Sequence, residues 1–315
     1  MRNLRIVFMG TPEFAAQTLQ LLFEQDYCIV GVITAPDKPA GRGQKVQQSA
    51  VKKYAISKQL KVLQPTNLKN ENFIETLRSL KANLQIVVAF RMLPRRVWEM
   101  PAYGTFNLHA SLLPDYRGAA PINWAIINGE RTTGVTTFFI DEHIDTGAII
   151  LQKAVRIDPE ETAGELHDKL MNIGADLVVE TVEHIKNNTV NLTTQQENKP
   201  LKTAYKIHKN TQRIDWTKDT DTIHNFIRGL SPYPTAWTLL YKNQEEIPIK
   251  IYRVTKEKTA HPYENGALLH DKKQLKIAVT GGFIHVEEMQ LPGKRKMNSV
   301  AVINGFDFGT DPKVL

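Results

Sequence analysis

The sequence predicts a mainly parallel, doubly wound α/β sheet followed by a small β-barrel. Two observations carry this. Through the first two-thirds of the chain, short β-rich runs alternate with amphipathic helical patterns, the arrangement that builds parallel sheets covered by helices. Beyond about residue 230 the apolar runs follow one another through turn signals with no helical pattern between them, as in small barrels. At 315 residues the chain can fill two cores. The expected division is a first domain over 1–188, a polar linker over 189–205, and a second domain over 206–315.

The elements follow in order. Arg5-Ile6-Val7-Phe8-Met9 is a buried first strand. Thr11-Pro12-Glu13 then offers an N-cap with proline at the first helical position. Ile29–Ile33 and Leu84–Ala89 are further strands, as are 104–109 and Gly134–Ile140. Thr162-Ala163-Gly164-Glu165 is a capping box, and Leu166, Leu170, Ile173, Leu177 and Val178 continue it as a long helix to about Ile185. The polar stretch from Lys186 to about Thr203 reads as a linker. A short helix near 222–227 leads into Ser231-Pro232-Tyr233-Pro234, and β-type runs follow at 236–241, 247–254, 266–270, 274–279 and 283–287.

Composition bounds the function. No apolar stretch approaches the roughly 20 residues that span a bilayer, and the apolar part of the N-terminus is too short for a signal peptide. The lone Cys28 excludes an intramolecular disulfide and fits a reducing cytoplasm. The net charge of +7 is uneven. Residues 201–315 hold 18 Lys and Arg against 12 Asp and Glu, a net of +6, which suits a polyanionic partner or simply a soluble surface. Nothing calls for an obligate protein partner.

Chemistry concentrates in Phe106-Asn107-Leu108-His109-Ala110-Ser111-Leu112-Leu113-Pro114, followed by Tyr116-Arg117-Gly118-Ala119-Ala120-Pro121. On a strand, Asn107, His109 and Ser111 share one face, because side chains alternate with period two. Pro114, Gly118 and Pro121 then force a turn, and open α/β folds place ligands at such strand ends. Ile144-Asp145-Thr146-Gly147 supplies a carboxylate. Amide, imidazole and carboxylate together suit acyl-transfer chemistry. Asp141-Glu142-His143-Ile144-Asp145 reads as a polar turn rather than a metal site, because no second ligand motif fixes a geometry. The Met9–Glu13 turn lacks the second and third glycines of a dinucleotide fingerprint. Pro36–Val46 is a basic loop with Lys38, Arg42 and Lys45 against Asp37, suited to phosphate contact or to plain solvation.

Asn107–Pro114, Arg117–Pro121 and Ile144–Gly147 together resemble the signature of 10-formyltetrahydrofolate-dependent formyltransferases. The resemblance extends over nearly the whole chain. Met9–Phe14, Pro36–Gly43, Arg213-Ile214-Asp215-Trp216 and Ser231–Pro234 resemble the members that act on initiator methionyl-tRNA. It implies a Rossmann-like formyltransferase domain followed by an OB-like barrel that binds tRNA. It implies catalytic roles for Asn107, His109 and Asp145, with folate at Ser111, Leu112, Leu113 and Pro114. Arg91-Met92-Leu93 resembles the pterin-contacting segment of the related glycinamide ribonucleotide formyltransferases, which adds Phe90, Arg91 and Met92 to the folate site. It places Lys38, Arg42 and Lys45 against the tRNA, with no metal required. Two other readings stand beside it: a formyltransferase acting on an amino-sugar nucleotide, and a non-catalytic RNA-binding protein.

Overall fold

The structure is a computed structural model that describes residues 1–40, 45–196 and 200–315, without the side chains of 39, 40, 45 and 46. Its strands are β1 (Ile6–Gly10), β2 (Ile29–Ile33), β3 (Lys38–Ala40), β4 (Lys45–Gln47), β5 (Val62–Leu63), β6 (Leu84–Val88), β7 (Thr105–His109), β8 (Arg117–Gly118), β9 (Thr132–Phe139), β10 (Ile149–Arg156) and β11 (Thr203–Ala204), then β12 (Ala236–Lys242), β13 (Glu245–Lys258), β14 (Leu268–His270), β15 (Leu275–Val279), β16 (Gly282–Gln290), β17 (Met297–Asn298) and β18 (Lys313–Val314). The helices are α1 (Glu13–Glu24), α2 (Ala50–Ser57), α3 (Glu71–Ser79), α4 (Arg95–Trp98), α5 (Pro121–Ile127), α6 (Ala163–Asn187), α7 (Thr220–Leu230) and α8 (Ser299–Gly305).

Two compact units emerge. The first comprises 1–118, 133–155 and 167–203; the second comprises 119–132, 156–166 and 204–315. This contact boundary differs from the boundary read in the sequence, because two segments of the first 188 residues pack with the C-terminal part. Asn123 donates to the Gly229 carbonyl at 2.8 Å, Ile127 packs on the core that contains Ile223 and Ile227, and the buried Arg228 donates to the Glu161 carbonyl at 2.7 Å.

The first unit holds a seven-stranded sheet in the order β10-β9-β7-β6-β1-β2-β5. The strands from β5 to β7 run parallel, as expected, whereas β9 is antiparallel to β7. Buried β1 and β6 carry nearly unbroken apolar runs, which is what strands covered on both faces require. α1 begins differently from the sequence reading. Pro12 itself stands at the N-cap with no side-chain cap, and the helix starts at Glu13. A Cβ on Gly10 would lie 2.5 Å from the Ala15 Cβ, so α1 can leave the sheet this closely only after a glycine. The α6 capping box forms as expected: the Thr162 N–H donates to Glu165 Oε2 at 2.8 Å, and the Glu165 N–H to Thr162 Oγ1 at 3.3 Å. No helix among the described residues is long and apolar enough to cross a membrane.

The second unit holds an antiparallel sheet in the order β14-β15-β16-β13-β12-β18, with β17 against β16. Its two ends meet. Ala267 bridges Lys313, Val314 donates to the Gly266 carbonyl at 2.8 Å, and Leu268 donates to the Pro312 carbonyl at 3.0 Å. The sheet thus closes into a barrel around Leu240, Ile251, Ile277, Ile284 and Met289. Register shifts in β13 near Arg253 help a 14-residue strand curve around it.

Candidate formyl-transfer site

The parallel strands β6 and β7 end side by side, so the loops that follow them share one edge of the sheet. Asn107 pairs with Val87 of β6 and Phe138 of β9, and His109 pairs with Thr136. Two residues apart on one strand, their side chains leave by the same face. Asn107 is half-buried, and its amide has no hydrogen-bond partner among the described residues. His109 is buried.

The His109 ring is held at Nε2 and faces a carboxylate at Nδ1. Nε2 lies 2.8 Å from the Tyr116 carbonyl. A carbonyl only accepts, so Nε2 carries the hydrogen and Nδ1 is the basic atom of the neutral ring. Nδ1 faces the Asp145 carboxylate, 3.7 Å from Oδ2. The same Oδ2 accepts the Gly118 N–H at 2.9 Å. Asp145 and Tyr116 both have left-handed backbones, at φ 57° and φ 62°. Gly147 ends the Asp145 turn where no side chain fits, since a Cβ there would lie 1.7 Å from the Phe139 carbonyl oxygen.

The segment after His109 is fixed by its own polar groups. Ser111 is fully buried, and its hydroxyl donates to the Asp115 carbonyl at 2.7 Å. Thr136 Oγ1 donates to the Ser111 carbonyl at 2.6 Å, and Gln152 donates to the Leu113 carbonyl at 2.9 Å. Leu113 packs with Phe138 and Ile149, Leu112 and Pro114 are half-buried, and the Leu113–Pro114 peptide is cis. In the loop after β6, Phe90 packs on the core around Val7 and Met9, Arg91 donates to the Thr66 and Pro65 carbonyls, and Met92 is 69% exposed. Met92 therefore offers apolar surface at the sheet edge where Asn107 and His109 emerge.

The structure thus gathers Asn107, His109 and Asp145 in one unit. Of the basic loop, the described residues include only part. Lys38 is exposed on the β3–β4 hairpin, while Arg42 and the Lys45 side chain lie outside the described residues. Asp37, the loop's acid, is engaged by Lys52 at 2.5 Å and by Gln64 at 2.8 Å, and the Lys52 hydrogen bond holds its carboxyl below the usual range.

One site residue escaped the sequence reading. Gln195 lies in the stretch read as a linker, yet this stretch is pinned: Thr193 and Ile149 exchange backbone hydrogen bonds at 2.8 and 2.9 Å. The Gln195 amide donates to the Asp145 carbonyl at 2.9 Å and the Gly147 carbonyl at 2.8 Å. Its oxygen accepts from Arg117 Nη2 at 2.8 Å and Nε at 3.1 Å. A single glutamine in a polar run leaves no local signal for such a role.

A formyl transferase family model matches residues 4–182, and a model of the formyl transferase C-terminal domain matches residues 206–307. The chain belongs to the formyl transferase family. This formyl transferase is 58% identical over 314 residues to the methionyl-tRNA formyltransferase of Flavobacterium johnsoniae, covering 100% of both chains. The enzyme of the same name from Bacteroides fragilis is 52% identical over 309 residues, covering 96% of this chain and 95% of its own. Among solved structures, WlaRD, a sugar 3N-formyl transferase in the presence of dTDP and 5-N-formyl-THF, aligns with TM-score 0.64 at 23% identity, covering 94% of this chain and 100% of its own. HypX from Aquifex aeolicus in complex with tetrahydrofolic acid aligns with TM-score 0.62 at 19% identity, covering 96% of this chain and 47% of its own. At such identities these two likenesses show the fold of this formyl transferase.

Proposed function

We propose that this protein transfers the formyl group of 10-formyltetrahydrofolate to the free amine of methionine esterified to initiator tRNA, giving N-formylmethionyl-tRNA for translation initiation. One observation carries the chemistry: the basic Nδ1 of His109 faces Asp145, and the strand that carries His109 also presents the Asn107 amide, which has no hydrogen-bond partner among the described residues. Full-length relatives named for the methionyl-tRNA reaction support the acceptor.

A free α-amine has a pKa of about 7.7–8.0, so part of it is protonated near neutrality and cannot attack. The ammonium form first gives one proton to water; as the neutral amine attacks, His109 Nδ1 takes the further proton that its nitrogen must shed, and Asp145 stabilises the resulting imidazolium. The amine attacks the formyl carbon. Negative charge grows on the formyl oxygen, to which the Asn107 amide donates a hydrogen bond while the charge of the His109 imidazolium stabilises it. A new C–N bond forms to methionine while the bond from carbon to N10 of the folate breaks, and His109 returns its proton to the departing nitrogen. No step needs a metal.

The folate lies along the loops after β6 and β7. Met92 and Phe90 offer it apolar surface, and Leu112 and Pro114 form the opposite loop. The buried Ser111 hydroxyl, engaged by Asp115, fixes that loop's shape rather than touching the ligand. Lys38, Arg42 and Lys45 meet tRNA phosphates, as does the barrel, whose surface carries most of the chain's net positive charge. The reaction belongs to the cytoplasm, where charged tRNA resides.

Formylation kinetics with 10-formyltetrahydrofolate test the proposal. Methionyl initiator tRNA should be used at a kcat/KM at least about 10²-fold above any dTDP-linked amino sugar, a gap of about 3 kcal/mol. Preference for the amino sugar would assign the alternative acceptor, and activity with neither would leave a non-catalytic RNA-binding protein.

A further inference from the structure

We propose that Gln195 is a positioning residue for formyl transfer that acts through the Asp145 turn; this rests on the reaction proposed above. Asp145 adopts φ 57°, a left-handed conformation that is uncommon outside glycine, although Asp adopts it more readily than most residues, and hydrogen bonds at both ends of the turn help to hold it. Gln195 provides those bonds. Its Nε2 has two hydrogens and gives one to each end of the turn, at the Asp145 and Gly147 carbonyls. Its Oε1 has two lone pairs and receives Nε and Nη2 of Arg117. Arg117 precedes Gly118, whose N–H holds the Asp145 carboxylate at 2.9 Å. A closed circuit results, running from Gln195 to the Asp145 backbone, through its carboxylate to Gly118, and through Arg117 back to Gln195.

Only an amide completes this circuit. Glutamate would set an oxygen against two carbonyls, lysine could not accept from Arg117, and methionine would do neither. Gln195 reaches the turn from a fixed base, because Thr193 is bridged to Ile149. It touches no reacting atom. Its effect is to fix where the carboxylate stands relative to His109 Nδ1, and a displacement of about 1 Å at such a site can reduce turnover about 10²-fold.

The test is steady-state formylation of methionyl-tRNA by Gln195→Ala and by Gln195→Met, which keeps the bulk. Each is also measured in an Asp145→Asn background. We expect kcat to fall roughly 10- to 100-fold in both single variants, with KM for both substrates within about twofold of wild type. In the Asp145→Asn background the further loss should be about twofold or less, because the group through which Gln195 acts is already gone. Unchanged kcat in both single variants overturns the proposal. So does an equal fractional loss in both backgrounds, which is what a general folding defect produces. Asp145→Asn alone tests the underlying reading: full activity there removes Asp145 from the reaction whatever Gln195 does.

Discussion

Replacing Asn107 with alanine isolates one interaction of the proposed transition state. Asn107 sits mid-strand on β7 between Val87 and Phe138, where backbone pairing does not depend on its side chain. Its amide has no hydrogen-bond partner among the described residues, so truncation strands no buried group. Stability should therefore change by about 1 kcal/mol or less. Catalysis should suffer far more. Losing one preorganised donor to a developing oxyanion typically costs about 10²–10³ in kcat, or about 2.7–4 kcal/mol. Because the charge develops only in the transition state, KM for both substrates should barely move. The assay pairs steady-state formylation of methionyl-tRNA with thermal unfolding of the same preparation. A kcat within about threefold of wild type would refute the oxyanion role. A large loss of stability alongside lost activity would instead make Asn107 a structural residue.

Gly147→Ala should lower the unfolding temperature and kcat together. Its Cβ would fall 1.7 Å from the Phe139 carbonyl oxygen, and overpacking of this kind costs about 1–3 kcal/mol or more. A thermal scan showing wild-type stability would contradict the geometry. Burial holds the His224 imidazole below its ordinary pKa, against the opposing pull of Glu160. The unfolded chain therefore takes up this proton first, near pH 6.5, and His224 subtracts stability as pH falls below that value. Urea unfolding between pH 7 and 5 should show this decline flattened in His224→Gln, and an unchanged slope would dismiss the assignment. Arg42→Ala should lower kcat/KM for charged tRNA and do so less at high salt, as expected for a phosphate contact. An equal loss at every salt concentration would argue against that contact.

Much of the candidate site could be read from the sequence because its residues are local. Asn107 and His109 stand two residues apart on a strand, so period-two alternation alone puts them on one face, and Pro114 and Gly118 announce the turn. Asp145 was marked by its turn residues. The fold class was legible for a similar reason, since buried strands and the α6 capping box carry their own patterns. What stayed hidden depends on tertiary contact. Apolar patterning identifies β9 as a strand but not its direction, and it runs antiparallel to β7. The membership of α5 is set by its packing against α7, not by its place in the chain. Gln195 in a run of polar residues looks like any solvated side chain until Thr193 is seen bridged to Ile149. Pro12 shows a finer limit: Thr11 is a good capping residue by type, yet the chain enters α1 one residue later.

In the proposed reaction, Asn107, His109 and Asp145 move a formyl group from folate to the methionyl amine. The most direct measurement uses 10-formyltetrahydrofolate labelled in the formyl carbon and charged initiator tRNA, with the label followed into the aminoacyl ester. Label is expected on the methionine nitrogen with the wild-type protein, and transfer slowed at least about 10²-fold in each of Asn107→Ala, His109→Ala and Asp145→Asn. Transfer at the wild-type rate in all three variants, or label that never reaches methionine, would contradict it.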